Sequence, residues 1–101
     1  GKKIGRAKNL EKLIEKIEIK YDGQMVRIKF PTSYASAKPS GEIIFYRPSD
    51  ISKDFKVPLS IDSTGMQVVP VTALDKGLWK IQLHWLMSES EYFNELSFVI
   101  E

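Results

Sequence analysis

The chain has 101 residues, one domain's length, and 43% of them are apolar against 28% charged, which suits a protein with a buried core and excludes a disordered one. Fifteen basic and thirteen acidic residues are interspersed and leave a net charge of +2, too little for a nucleic-acid surface. With no cysteine and a single histidine, disulfides, thiolate metal sites and Cys nucleophiles are excluded, and a Ser-His-Asp triad would have to rest on His84 alone.

Residues 1–16 read as a segment apart. Across 2–16 there is no proline, and Ile4, Ala7, Leu10, Leu13 and Ile14, followed by Ile17, recur at spacings of three or four, which predicts an amphipathic helix. Lys8 with Glu11 and Lys12 with Glu15 add pairs worth about 0.2–0.5 kcal/mol each on the other face. A helix this short is marginal alone, so it is expected to pack on the domain, to self-associate, or to link the domain to a membrane. The basic cluster Lys2, Lys3, Arg6 and Lys8 has no interleaved aromatics and reads as a solvated, membrane-proximal stretch. No apolar run in the chain is long enough to cross a bilayer as a helix.

From Ile17 the period changes to two, opening a second unit over 17–101. Ile17, Ile19 and Tyr21 face one way, Glu18 and Lys20 the other, and Asp22-Gly23 supplies hairpin chemistry before a returning strand over 24–30. Pro31 ends the pairing, and 32–40 is a small, polar loop. The strand over 41–47 is apolar on both faces at Ile43, Ile44, Phe45 and Tyr46, as expected of a central strand covered on both sides. After a turn over 48–54, strands follow over 55–61 and 66–71, with Pro58 and Pro70 marking both as edges; the pair is expected to form a hairpin. In the strand over 78–87, Trp79, Ile81, Leu83 and Trp85 alternate with Lys80, Gln82 and His84. Ser88-Glu89-Ser90 turns into a last strand over 91–100. Seven short strands with turns every 8 to 12 residues predict an all-β fold, an immunoglobulin-like β-sandwich preceded by one N-terminal α-helix.

Little in this pattern carries bond-breaking chemistry. The glycines are scattered and form no phosphate loop, and the carboxylate pairs Asp50 with Asp54 and Glu89 with Glu91 fall in polar turns. Copper(I) favours Met and His ligands, which the chain offers as Met25, Met66, Met87 and His84 without clustering; His84 and Met87, three apart, fall on opposite faces of a regular strand. Trp79 and Trp85 read as core anchors. Tyr46, Arg47, Ser49 and Asp50, where a central strand leaves the sheet, and Phe93, on the side opposite Leu96, Phe98 and Ile100, are the candidate interaction residues, with Arg47 expected to bond Asp50 or to reach a partner.

Two stretches carry a family resemblance: Gly41-Glu42-Ile43-Ile44-Phe45-Tyr46-Arg47-Pro48-Ser49-Asp50, and Gly77-Leu78-Trp79 followed by Trp85. Their order and spacing resemble the FixH family across nearly the whole chain. The resemblance implies a non-enzymatic, periplasmic domain that follows a transmembrane helix absent from this chain, which opens with Gly1. It further implies a role in assembly or maturation of a cbb-type haem-copper cytochrome oxidase, through contacts with oxidase subunits or assembly factors and without a bound cofactor. Two other readings stand beside it: a periplasmic copper-binding sandwich using His84 and Met87, and a generic adhesion or ligand-binding module.

Overall fold

Hydrophobic alternation resolves into seven strands in a computed structural model that describes residues 17–101; the helix expected over 2–16 lies outside the described residues. Glu18–Tyr21 (β1), Met25–Lys29 (β2) and Met66–Pro70 (β5) form a three-stranded antiparallel sheet in the order β1-β2-β5. Ser40–Tyr46 (β3), Phe55–Pro58 (β4), Gly77–Met87 (β6) and Ser90–Ile100 (β7) form a four-stranded antiparallel sheet in the order β4-β3-β6-β7. The inward residues of each sheet meet in one core. Val26, Ile28, Phe30 and Val69 come from the first sheet and its margins, and Ile43, Phe45, Trp79, Ile81, Leu83, Trp85, Tyr92 and Phe98 from the second. Phe30 closes edge-on against Trp85 with ring centres 4.9 Å apart, and each such side chain stabilises the fold by roughly 1.5–3 kcal/mol through burial.

The first hairpin is built by its turn residues. The Asp22 carboxylate accepts from the Gln24 and Met25 amides, both at 2.9 Å, and Gly23 takes φ +98, a conformation that side chains other than hydrogen resist. The strands give the molecule two ends. At one lie the start of β1, the 31–39 connection, the 59–65 connection and the Ser88-Glu89 turn. At the other lie the 22–24, 47–54 and 71–76 loops.

Three expectations need correction. The connection over 32–40 is not all loop: Tyr34–Ala37 (α1) forms one helical turn, from which the Tyr34 ring packs toward Phe30 with centres 6.3 Å apart. Lys38 in the left-handed conformation and Pro39 then stop it. Second, β4 and β5 do not pair. Leu59 is buried and its amide donates to the Gly41 carbonyl, and Asp62 gathers the Thr64 and Met66 amides into a turn that carries the chain to the other sheet. The Gln67 side chain spans the gap, accepting from the Ser60 amide and donating to the Pro58 carbonyl. Third, β3 is central but covered on one side: Ile43 and Phe45 are buried while Ile44 and Tyr46, on the outer face, are half-buried. Among the described residues both edges marked by proline hold, with β4 flanked only by β3 and β5 only by β2.

Candidate functional site

The two stretches singled out in the sequence meet at one end of the sandwich. Arg47 leaves β3 with its amide donating to Asp54 Oδ1 at 2.7 Å, and its guanidinium reaches across to the 74–79 segment. There Nη1 donates to the Leu78 carbonyl at 3.0 Å, Nη2 donates to the Lys76 carbonyl, and the guanidinium carbon lies 5.3 Å from the centre of the Trp79 ring. Trp79 is itself held, its indole N–H donating to the Asp75 carbonyl at 2.8 Å. Lys53 adds an ion pair to Asp75 at 2.6 Å, which draws the Asp75 carboxyl below its usual 3.8 and raises the Lys53 ammonium. Gly77 sits beneath the guanidinium at φ +116, and a Cβ there would lie 2.8 Å from Arg47 Nη1. Arg47 is therefore a clasp between two loops.

Asp50 takes another partner. Its carboxylate accepts from the Ser52 hydroxyl at 2.6 Å and the Ser52 amide at 3.1 Å, starting the single 3₁₀ turn Ile51–Lys53. The Ser52 hydroxyl bond is the main reason the Asp50 carboxyl stays below its usual 3.8. The expected Arg47 to Asp50 bond gives way to these local ones, since the Asx geometry is reached within two residues. Ser49 and Asp50 are exposed, and next to them Ile51 is 79% exposed, an apolar side chain displayed on a capped, ion-paired loop.

Tyr46 and Phe93 share the outer face of the four-stranded sheet. Register sets Tyr46 beside Lys80, Ile44 beside Gln82 and Glu95, and Glu42 beside His84 and Phe93. The His84 ring meets Phe93 edge-on at 5.0 Å, and Gln82 donates to Glu95 at 2.8 Å. Near the Ser88-Glu89 turn, Glu42, His84, Leu86, Glu91 and Phe93 rim an open depression of about 480 Å³. The face mixes exposed apolar side chains with carboxylates.

The FixH family model matches residues 1–96, which takes in both stretches of the clasp. This chain belongs to the FixH family. No curated protein and no solved structure matches it. In this FixH chain β6 runs unbroken through Met87, so His84 points out to solvent while Met87 packs against the core. Met25 and Met66 stand at opposite ends of the β2 and β5 pair. Sequence reading overlooked Ile51; its signal was a lone apolar residue inside the polar run Ser49 to Asp54.

Proposed function

We propose that this FixH-family domain acts outside the cytoplasm, tethered to the membrane by a segment upstream of it. There it would support assembly or maturation of a cbb-type haem-copper oxidase by binding oxidase subunits or assembly factors, without breaking bonds. The family match over residues 1–96 carries this reading. An immunoglobulin-like frame accords with the topology: lettered A to G in chain order, the sheets read A-B-E and C′-C-F-G. The fourth strand lies on the C edge rather than beside E, a common exchange among sandwiches of this architecture.

Display supports the reading too. The chain enters β1 at one end and the loop bearing Ser49, Asp50 and Ile51 lies at the other, so an upstream tether leaves that tip facing away from the bilayer and open to a partner. The clasp through Arg47 and Lys53 preorganises the tip, which limits the ordering cost of binding. The test is complementation of a strain lacking the gene with the full-length protein, either unchanged or carrying Ile51→Lys. The unchanged protein should restore oxidase haem content and co-purify with oxidase subunits from solubilised membranes. Ile51→Lys should lose the co-purification while keeping the unfolding midpoint of the isolated domain. Normal oxidase content in the deletion strain would refute the assignment.

A further inference from the structure

An aromatic cluster fills the end of the sandwich at which the chain enters β1. The antiparallel register of β1 and β2, carried one residue beyond Glu18 opposite Lys29, sets Ile17 opposite Phe30. Both are buried, Ile17 at 7% and Phe30 at 0%. Phe30 meets Trp85, and Trp85 in turn meets Tyr92 with ring centres 4.5 Å apart. Tyr34 of α1 and Met87, the last residue of β6, pack on this core from its rim and are only half-buried. Ile17 also ends the apolar series of the upstream segment. Ile14 and Leu13 stand three and four residues before it and Leu10 seven, so a helix over 2–16 turns all three to the side on which Ile17 enters the core.

We propose that residues 2–16 form an amphipathic helix that caps this end of the sandwich, with Leu13 and Ile14 against Met87 and Tyr92 and Leu10 against Tyr34. Reach permits it. The Tyr21 ring meets Phe98 with centres 4.8 Å apart, which sets β1 over β7. A helix of this length spans about 22 Å, enough to cross the roughly 15 Å from β7 to β4 at the strand ends. Charge favours the same fit: residues 1–16 carry six basic and two acidic side chains, a net +4, while 17–101 carry nine and eleven, a net −2. Energetically the cap covers what remains exposed of Tyr34 and Met87, and the helix, marginal alone, gains the packing partner it needs. The helix stays at the end where the chain enters β1, so an upstream tether still leaves the 47–54 loop on the far side. This inference stands apart from the oxidase assignment, since it concerns how the upstream segment sits on its own domain.

Solution NMR of the 101-residue chain tests it, with Ile14→Asp, Tyr34→Ser and Val99→Lys chains alongside. In the unchanged chain the methyls of Leu13 or Ile14 should show nuclear Overhauser contacts to the Tyr34 ring or the Met87 methyl. The amides of residues 10–14 should exchange roughly tenfold or more slowly than in the peptide 1–16 alone. Ile14→Asp and Tyr34→Ser should each remove most of that protection, because each deletes apolar surface from one side of the contact. Val99→Lys, at an exposed position at the far end of β7, should leave it unchanged. Far-UV circular dichroism confirms that every variant keeps its strands. Exchange over 10–14 as fast as in the peptide, Overhauser contacts that run only between labelled and unlabelled copies, protection indifferent to Tyr34→Ser, or protection lost in Val99→Lys would overturn the proposal.

Discussion

Gly77→Ala and Arg47→Ala, made singly and together, test whether the two loops are held by one clasp. Arg47→Ala removes two guanidinium-to-carbonyl hydrogen bonds and the contact with the Trp79 ring. Bonds to charged donors are worth about 1.5–3 kcal/mol when fully buried, and the half-exposed setting of Arg47 brings the whole to about 1–3 kcal/mol. Gly77→Ala should be worse. Holding an L residue at φ +116 costs about 1–3 kcal/mol. The new Cβ, 2.8 Å from Nη1, also drives the guanidinium off, so the clasp is lost as well and the total reaches about 2–6 kcal/mol. In the Arg47→Ala background only the backbone part of the Gly77→Ala cost remains. The double variant should therefore be less destabilised than the two singles added together, by about 1–3 kcal/mol. Urea unfolding followed by tryptophan fluorescence measures all four corners of the cycle, with the slope checked for constancy. Additivity to within about 0.5 kcal/mol would refute the clasp.

In the core, the Trp85 indole N–H donates to Asn94 Oδ1 at 2.9 Å with both residues buried. Trp85→Phe should cost about 2–4 kcal/mol from lost volume and a stranded amide, and adding Asn94→Leu should recover part of it in thermal unfolding. Acid should weaken the fold through four exposed turn carboxylates. Asp22, Asp50, Asp62 and Asp75 are all held below the usual 3.8 by hydrogen bonds: from the Gln24 amide, the Ser52 hydroxyl, the Thr64 hydroxyl and the Lys53 ammonium respectively. A lowered folded-state pKa means that the unfolded chain takes up these protons first, so the stabilisation is complete above 3.8 and is lost as pH falls through each lowered value. The melting temperature should hold down to about pH 5 and then decline toward about pH 2, less steeply in Asp62→Asn.

Much of the fold was legible in the chain. Period two from Ile17 onward, prolines at 58 and 70, and the aromatic alternation through Trp79 and Trp85 identified seven strands, the inward face of the strand bearing both tryptophans and two of the edges, since these features are set by backbone geometry within a few residues. The candidate site was legible only in part. Phe93 was recognisable as outward-facing, yet nothing local to it says that it shares the outer face of one sheet with Tyr46, whose strand read as covered on both sides.

By itself the sequence determined the strands, the composition of the core and the absence of a thiol, because each depends on residue type and short-range spacing. Tertiary structure alone decided that β4 and β5 part to different sheets and that Arg47 ignores nearby Asp50 for carbonyls at Lys76 and Leu78. Those outcomes compare contacts between segments far apart in the chain. Local propensity cannot rank such contacts, because their worth depends on distances that exist only once both sheets have closed on the core.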